Sequence, residues 1–408
     1  MHCLTTTAEV AAFCQRLAGA EYVTVDTEFM RETTYWPKVC LVQVAGPDEA
    51  CAIDPLAEGM ELDPLYELLS NPRTLKVFHA ARQDLEIFYH LMGEVPAPLF
   101  DTQVAAMVCG FGEQVGYETL AQQLARTAID KSSRFTDWSK RPLTARQLDY
   151  ALSDVTHLRT IYGKLKSRLG QSGRSPWLAE EMAVLADPKT YAGVPEDAWM
   201  RIRTRSSSRR TLAVLREVAA WREREAQRRD VPRGRIVRDE ALAEIASTPP
   251  KTVEDLSRVR GLSRGIAEGR GGEELLAAIA RALALPEEDR PALLLESTLP
   301  KGIGPLVELL KVLLKLMCDQ HDVAQKLVAS TADLERIAAD DGAGVPAMHG
   351  WRREIFGEQA LKLKRGQLAL AAEGRRIRLI SLAEPVGGGD DRAPGPEVTV
   401  LSQRLTEN

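Results

Sequence analysis

The chain has 408 residues, of which 27% are charged, and its formal net charge is −5 at pH 7. This length suits two or three domains, and the lack of a long apolar run argues against a membrane-spanning helix. The six cysteines form no C-x-x-C pair, which argues against a zinc site or a disulfide framework. Because the first residues also lack a signal-peptide pattern, we expect a cytoplasmic protein with reduced cysteines.

The first 170 residues alternate between strand-like and helix-like periods. The predicted strands are YVTVDT, VCLVQVA, ACAID and LKVFHA, and the predicted helices include LDPLYELLSNP, AARQDLEIFYHLM and TARQLDYALSDVTHLRTIYGKLKSRL. Three strands close together, followed by alternating helix and strand, predict a mixed sheet flanked by helices. We therefore expect one α/β domain over residues 1–175.

A break at QSGRSP, residues 171–176, precedes a region that is predicted to be helical up to about residue 382. Two units of similar layout are expected, at 197–285 and 286–382. Each has a long helix, a shorter pair, and a glycine-containing turn before a final helix, which favours a duplication. Residues 383–408 are rich in Gly, Pro and Asp, so we expect a disordered tail.

The segment 199–238 concentrates positive charge in this acidic chain, with thirteen arginines against four acidic residues and no lysine. A phosphate backbone is the usual partner for such a stretch, because each neutralised phosphate releases counterions. The alternative is a solvated basic face of a helix. The first interpretation predicts a nucleic acid as the partner, and a monomer is the expected state.

Acidic residues mark three places in the first domain. Asp26 and Glu28 end an apolar strand and point to the same side, which is costly unless something positive lies between them. Asp84 lies in the first turns of a predicted helix, and Tyr150 and Asp154 are one helical turn apart. Singly, these are explained as a helix N-terminal charge or an exposed face. Together they predict a site for two divalent ions, Mg²⁺ or Mn²⁺, about 4 Å apart.

The motifs VDTEF, FHAARQDLE and LDYALSDV, in this order, resemble those of the DEDD exonuclease superfamily, tyrosine subtype. Longer stretches, including KSSRFTDWSKRPLTARQLDYALSDVTHL and MHGWRREIFGEQALKLKRGQLALA, resemble the ribonuclease D family. The resemblance implies a ribonuclease H-like α/β exonuclease domain followed by two all-α HRDC-like domains. It also implies a metal-dependent 3′→5′ exoribonuclease that trims precursor tRNAs and releases nucleoside 5′-monophosphates. A DNA exonuclease and a non-catalytic RNA-binding scaffold are the alternatives.

The resemblance also assigns roles to the acids. Asp26, Glu28 and Asp154 would hold the metal that activates the attacking water. Asp26 would reach a second metal, which Asp84 would hold largely through water. Tyr150 would orient the water toward the terminal phosphate, since a phenol with a pKa near 10 is a poor base.

Other residues are candidates for substrate contacts. Phe29 and Met30 follow the first motif, where they either contact the last nucleotide or pack in the core. His79 has no second His or Cys at ligand spacing, so a structural or substrate-contacting role is favoured over metal binding. A basic and aromatic loop before the Tyr150 helix suits phosphates and a stacked base, unless it is a solvated connection. Its candidate residues are Lys131, Arg134, Trp138 and Arg141.

Overall fold

The structure is a computed structural model, and it describes residues 3–130, 133, 136–204, 206, 208–292, 299–382 and 398–400. The chain divides into two compact units. The first comprises Met1–Thr102, Tyr117–Lys166 and Ala179–Glu296, and the second comprises Gln103–Gly116, Ser167–Leu178 and Ser297–Asn408. The predicted division at residue 175 is therefore not the division into compact units, because the first unit combines the sheet with the first helical region.

A six-stranded mixed sheet forms the centre of the first unit, as the strand pattern predicted. Its strands are β1 (Cys3–Leu4), β2 (Tyr22–Met30), β3 (Lys38–Ala45), β4 (Ala50–Ile53), β5 (Leu75–Phe78) and β6 (Leu99–Asp101). The order is β1-β4-β3-β2-β5-β6. The pairs β2–β3 and β3–β4 are antiparallel, and the pairs β1–β4, β2–β5 and β5–β6 are parallel. Two short edge strands, β1 and β6, were missed in the sequence.

Helices alternate with or follow these strands along the chain, as the predicted α/β fold requires. They are α1 (Thr7–Leu17), α2 (Asp63–Ser70), α3 (Arg82–Met92), α4 (Thr102–Val108), α5 (Tyr117–Leu120), α6 (Ala145–Ser172) and α7 (Ser175–Leu185). Helix α1 starts at a capping box in which Thr6 and Glu9 satisfy each other's backbone amides. Helix α3 ends at Gly93 in the left-handed conformation, a common C-terminal cap.

Strand β2 extends beyond the end of its neighbour β5, and this difference in length leaves space for a site. The parallel pairing with β5 is recorded from Tyr22 to Thr24, whereas the pairing with β3 continues to Met30. A β-bulge between Glu28 and Phe29 then shifts the register with β3. Bulges re-aim side chains near the ends of strands. On the β5 side, the carboxyl half of β2 is therefore not paired with a strand among the described residues, and helices can pack there.

The first helical region of the first unit is built on one long helix. Its helices are α8 (Arg209–Arg229), α9 (Arg233–Ile236), α10 (Asp239–Ser247), α11 (Val253–Ser257), α12 (Arg264–Ala267) and α13 (Arg270–Ala284). Twelve residues of α8 are buried, among them Leu212 and Val218. Gly272 lies so close to the Ala267 carbonyl oxygen that a Cβ atom would meet it at 1.9 Å. The predicted long helix and glycine-started final helix are therefore present.

The first helical region grips the loop that follows β2. Tyr35 of this loop is 8% exposed and donates its hydroxyl hydrogen bond to Glu223, which is 1% exposed. Arg233 forms two hydrogen bonds with Glu223, at 2.6 and 2.7 Å, and its guanidinium lies 4.8 Å from the Tyr35 ring centroid. Burial alone raises the pKa of Glu223, but the hydrogen bonds from Arg233 and Tyr35 outweigh it and lower that pKa. We call these three residues the Tyr35 cluster.

A second contact fixes the same loop. The backbone amides of Tyr35 and Trp36 both donate to Asp230, at 3.0 Å each. Asp230 ends α8 in the left-handed conformation, with φ of 48°. The Trp36 ring stacks on His90 of α3, with 4.1 Å between centroids. Hydrogen bonds to this loop and its ring stacking on α3 therefore connect the first helical region to the domain that contains the six-stranded sheet.

The second unit contains helices and, contrary to prediction, a small sheet. Its C-terminal helices are α14 (Gly304–Gln320), α15 (Gln325–Val328), α16 (Thr331–Ala339), α17 (Gly350–Arg352) and α18 (Glu358–Lys364). The predicted final helix is wrong, because β7 (Leu368–Glu373) and β8 (Arg376–Leu382) form an antiparallel hairpin there. Gly374, with φ of 61°, starts its two-residue loop.

The tail was predicted to be disordered over 383–408. Residues 398–400 instead form β9 (Val398–Val400), which pairs with β8. A Val-Thr-Val sequence is β-branched throughout and suits an added strand. The rest of the tail lies outside the described residues.

The remaining predictions about the whole chain concern thiols and membranes. All six cysteines are free. Among the described residues, the helices lack a stretch with the length and apolar character that a membrane crossing requires.

Candidate active site

Three carboxylates from two elements meet at the carboxyl half of β2. Asp26 and Glu28 extend from β2, and Asp154 extends from α6. One oxygen atom of each lies within 4.8 Å of the others. Alternation along the strand brings the first two together, and the crossing of α6 supplies the third. Among the described residues, Asp26 and Glu28 form no ion pair, so their charges face each other.

The pKa values of this cluster show the cost of that arrangement. Burial, followed by the nearby Asp154 charge, raises the pKa of Asp26 well above its usual value. Burial also raises the pKa of Glu28 to about 9, with Asp26, Asp154 and Asp84 adding to the effect. Without a cation the cluster therefore retains protons at neutral pH. A divalent cation would reverse this preference, and carboxylate oxygens are the ligands such ions prefer. The donor set fits Mg²⁺ or Mn²⁺.

Asp84 lies beside this cluster and is held differently. It is 6% exposed in the first turn of α3 and accepts a hydrogen bond from the Thr27 hydroxyl at 2.5 Å. Burial and then the Asp26 charge raise its pKa, which places the two carboxylates in one electrostatic environment. The structure thus brings Asp84 near Asp26 but leaves it outside the group of three. Thr27 was missed in the sequence.

Two hydroxyl groups fix the turn of α6 that carries Asp154. Thr24 of β2 donates to the Val155 carbonyl oxygen at 2.8 Å. Tyr117 donates to the carbonyl oxygens of Asp154 and, at 3.3 Å, Ser153. Burial and the charge of Asp154 raise the pKa of Tyr117, so its hydroxyl remains protonated. The Thr24 bond holds α6 against β2, and the Tyr117 bonds hold it against α5. No motif in the sequence marked Tyr117.

Asp101, at the end of β6, holds the turn that leads into α3. Its carboxylate accepts hydrogen bonds from the amides of Ala80 and Ala81, at 3.0 and 2.9 Å. Ala80 has φ of 56°, which is unfavourable for a residue with a Cβ atom. The Asp101 bonds offset this strain and set where α3, and hence Asp84, begins. The position of Asp101 at the end of an apolar strand is a sequence signal that could have identified this residue.

His79 is held as a neutral side chain. Thr102 donates its hydroxyl hydrogen to the Phe78 carbonyl oxygen at 3.0 Å, so its contact with His79 Nδ1, at 3.0 Å, must accept a hydrogen from the ring. Burial lowers the pKa of His79 to about 4. Its ring meets Tyr117 edge-on, with 5.4 Å between centroids. The structure supports a positioned neutral imidazole whose Nε2 is an acceptor.

Tyr150 lies one turn before Asp154 on α6, as its spacing predicted. It packs beside Trp138, with ring centroids 6.1 Å apart. Trp138 is 2% exposed, so it has no free face on which a base stacks. This burial argues against the predicted base contact of Trp138. The indole supports the Tyr150 ring instead.

The other predicted members of the basic loop separate into two cases. Arg141 forms hydrogen bonds with both Asp54 carboxylate oxygens, at 2.6 and 2.7 Å, and with the Cys40 carbonyl oxygen. Its guanidinium is thereby committed to internal partners, which argues against the predicted phosphate contact. Lys131 and Arg134 lie outside the described residues.

Phe29 and Met30 follow the acid pair on β2, and both are partly buried. Met30 packs against the cluster that contains Trp138 and Cys40. The bulge after Glu28 turns this end of the strand relative to β3. Met30 therefore has the packing role that was one of its two predicted alternatives, and Phe29 stays a candidate for substrate contact.

The comparisons with known proteins agree with this geometry. The family model for 3′-5′ exonucleases matches residues 1–170, and the HRDC domain model matches residues 211–279. The carboxylate cluster, the mixed sheet and these matches define the class of the protein as a 3′-5′ exonuclease.

Relatives over nearly the whole chain give the family. Ribonuclease D of Gluconacetobacter diazotrophicus is 52% identical over 377 residues, covering 92% of this chain and 96% of the relative. Ribonuclease D of Granulibacter bethesdensis is 52% identical over 381 residues, covering 93% and 96%. The crystal structure of Escherichia coli RNase D, an exoribonuclease involved in structured RNA processing, matches with a TM-score of 0.77 at 31% identity, covering 90% of this chain and 99% of that chain. The chain belongs to the ribonuclease D family.

The family match makes the protein a 3′-5′ exoribonuclease, with RNA as its partner. One of the two predicted HRDC domains is shown, at residues 211–279 within the first helical region. The second, over 286–382, stays a prediction.

Proposed function

We propose that this exoribonuclease trims the 3′ ends of precursor tRNAs as a monomer and releases nucleoside 5′-monophosphates with the help of two divalent ions, Mg²⁺ or Mn²⁺. The cluster of Asp26, Glu28 and Asp154, with Asp84 beside it, carries this proposal. The E. coli relative is described as acting in structured RNA processing, which supports a folded substrate such as a tRNA precursor.

The acids divide between two ions in this proposal. Asp26, Glu28 and Asp154 would hold one ion, and Asp26 and Asp84 would hold the other. Bound divalent ions would ease deprotonation of the attacking water and stabilise charge on the phosphate and the leaving 3′ oxygen. The protein contributes fixed geometry, because Thr24, Thr27 and Asp101 hold the elements that carry these acids. These bonds oppose the mutual repulsion of the carboxylates, which would otherwise move the elements that carry them apart.

Tyr150 would position the attacking water. Its hydroxyl lies on the same face of α6 as Asp154, and the buried Trp138 ring supports its ring. A tyrosine stays protonated at neutral pH, so it donates and accepts hydrogen bonds without serving as the base. Orientation of this kind lowers the barrier by removing unproductive water positions.

The end of the RNA strand would be held close to these acids. Phe29 offers a partly exposed ring after the bulge, and His79 offers a neutral acceptor at Nε2. A ribose hydroxyl is a suitable donor to such an acceptor, and it is the group by which RNA differs from DNA. His79→Phe would therefore narrow the preference for RNA over DNA.

The test of this function is digestion of a 3′-extended tRNA transcript, resolved at single-nucleotide steps. We expect stepwise shortening with Mg²⁺ or Mn²⁺, no shortening in EDTA, and nucleoside 5′-monophosphates as products. Asp26→Asn is the inactive control, and Asp63→Asn, an exposed acid of α2, is the matched active control.

Four outcomes contradict parts of the proposal. Shortening in EDTA would remove the metals, and endonucleolytic fragments would remove the stepwise reaction. Equal digestion of a DNA strand of the same sequence would point to a general 3′→5′ exonuclease. A scaffold without catalysis would leave every substrate intact.

A further inference from the structure

A cavity of about 480 Å³ lies in the first helical region, next to the start of helix α10. This volume is within the range of small-molecule sites. Four arginines line the cavity: Arg201, Arg222, Arg233 and Arg238. None of the proposed catalytic steps uses these side chains, so the cavity calls for an explanation of its own.

Two of the four arginines are already neutralised. Arg222 pairs with Asp239 at 2.6 Å, and Arg233 pairs with Glu223 in the Tyr35 cluster. These pairs build the wall and fix its shape.

The other two arginines remain available. Arg201 and Arg238 are exposed, and neither forms an ion pair with a described residue. Glu240 is the remaining acid that lines the cavity, and it also forms no ion pair with a described residue. The lining therefore carries one more positive than negative charge, with two guanidinium groups at its edge.

Two further features favour an anion in this place. Helix α10 spans nine residues, and no side chain caps its N-terminus at Arg238. The first backbone amides of a helix without such a cap favour a nearby anion. Arg222 is 4% exposed, and its Nε atom is a buried donor without a hydrogen-bond partner among the described residues. Unpaired buried donors cost free energy, and a nearby anion or the water it orders offsets that cost.

We propose that this cavity binds a phosphate group with its attached ribose, supplied by the backbone of the RNA strand that the enzyme processes. The inference rests on the proposed RNA substrate and names one place where the arginine-rich segment would contact it. A free nucleoside 5′-monophosphate has the same chemistry and is the other source. The forked guanidinium donors of Arg201 and Arg238 match the oxygens of a phosphate.

The arrangement also selects among the thirteen arginines of segment 199–238. The charge of the whole segment suggests that all of its arginines contact phosphate. Six of the described arginines, however, already form ion pairs within the protein. Among the described arginines of the segment that form no ion pair, Arg201 and Arg238 line the cavity. The proposal therefore predicts that position, as well as charge, determines the effect of a substitution.

The experiment compares two double variants of the full chain that lose the same charge. Arg201→Ala with Arg238→Ala removes the edge of the cavity. Arg210→Ala with Arg235→Ala removes two exposed arginines that do not line it and that form no ion pair with described residues. Binding of a 3′-extended tRNA transcript is measured in EDTA at several salt concentrations.

We expect the cavity variant to bind about 10-fold more weakly, with its salt dependence reduced by about one phosphate contact. The control pair should change binding by less than about twofold. Equal weakening by both pairs would show a general charge effect and overturn the proposal. No weakening by either pair would overturn it as well.

A third variant changes the affinity in the opposite direction, which misfolding does not explain. Glu240→Gln removes the unpaired acid of the lining, and we expect tighter RNA binding by about twofold to threefold. Unchanged or weaker binding would contradict the site. Thermal unfolding of each variant serves as the check on folding.

Equilibrium dialysis with labelled AMP distinguishes the two sources. AMP binding that is lost in the Arg201 and Arg238 variant identifies free nucleotide as a ligand. RNA binding that is lost without any AMP binding identifies the strand backbone. Loss of neither overturns the site.

Hydrolysis of a short unstructured RNA separates this inference from the proposed function. For the cavity variant we expect a raised KM for this RNA with little change in kcat, because binding is weakened while the carboxylate cluster is intact. A wild-type protein that hydrolyses no RNA would instead remove the proposed function itself.

Discussion

The carboxylate cluster and the basic segment 199–238 both concentrate charge of one sign, but among the described residues only the basic segment pairs much of that charge with opposite charges. Asp26 and Glu28 have no cation partner among the described residues, and burial raises the pKa of both. On the basic segment, six arginines form ion pairs with nearby acids, and these are Arg216, Arg222, Arg224, Arg228, Arg229 and Arg233. Asp26 and Glu28 lack a cation partner within the described protein, as expected of a site that binds a metal ion. The paired arginines have internal partners, as expected of residues that stabilise the fold.

The comparison also separates two acids that are shielded from solvent, the partly buried Glu28 and the buried Glu223. Without a bound cation, Glu28 retains its proton at neutral pH, since its pKa is raised to about 9. Glu223 is ionised at neutral pH, since Arg233 and Tyr35 lower its pKa despite burial. The two side chains share their chemistry and differ in their neighbours. Their contrast yields the following predictions.

Asp26→Asn should have the largest effect. We expect RNA hydrolysis to fall by more than about 100-fold, because loss of an outer-shell partner of a metal already costs about 10- to 100-fold. Folding should be retained or improved in EDTA, since one of the repelling carboxylates is gone. Nucleotide release and thermal unfolding are the measurements. Joint loss of activity and folding would indicate a structural role.

Tyr150→Phe should slow hydrolysis by roughly 10- to 1,000-fold, the range for removal of a positioned polar group. The aromatic packing with Trp138 is kept, so RNA affinity should hardly change. Single-turnover rates and RNA binding are measured together. Tyr66→Phe, on α2, is the matched control. A wild-type rate for Tyr150→Phe would exclude the hydroxyl from the mechanism.

Glu28 should make the metal-free protein less stable as pH rises. Its pKa is about 9 in the folded state and about 4.5 when unperturbed, so the folded state binds more protons between these values. The free energy of unfolding therefore falls as pH increases through this window. In EDTA, Glu28→Gln should show a weaker decline from pH 5 to pH 9 by thermal unfolding. Parallel curves for the two proteins would contradict the raised pKa.

Arg233→Met should destabilise the folded protein by about 1 to 3 kcal/mol. Breaking a buried ion pair costs about 3 to 5 kcal/mol, and partial exposure of Arg233, at 38% of its side chain, reduces this. The cost should shrink as pH falls through the lowered pKa of Glu223, because the carboxylate is then neutral. Urea unfolding at pH 7 and at a series of pH values below 4.5 measures both effects. A pH-independent cost would mean lost packing alone.

Arg224→Met is the matched control with the smallest expected effect. Arg224 pairs with Glu196 at 2.6 Å, but the side chains are 49% and 54% exposed. Exposed ion pairs contribute about 0 to 1 kcal/mol. Urea unfolding should place this variant within that range of the wild type. A cost equal to that of Arg233→Met would remove the distinction between buried and exposed pairs.

Local periodicity was sufficient for most of the sheet. The predicted strands at 22–27, 39–45, 50–54 and 75–80 overlap β2 to β5, although β2 continues to Met30. Runs of apolar and β-branched residues mark these strands because both of their faces are largely buried. Strands β1 and β6, of two and three residues, are too short to show a period. The sequence around β7 predicts a helix, because alanine and leucine have high helix propensity, whereas the chain forms the hairpin of β7 and β8 there.

Sequence alone determined the acids, their spacing and the chemistry they favour. Asp26 and Glu28 must share a face of their strand, and Tyr150 and Asp154 must share a face of their helix. These relations are set by backbone geometry within one element, so no knowledge of the fold is needed to state them.

Only the tertiary structure decided which distant groups hold those acids in place. Thr24, Tyr117 and Asp101 bond to backbone groups far away in the chain, and Trp138 turns inward to support Tyr150. Such contacts depend on how elements cross, and their residues have no local signature. The same holds for Arg141 and Arg233, whose charge suggested phosphate binding until the fold placed each beside a buried carboxylate.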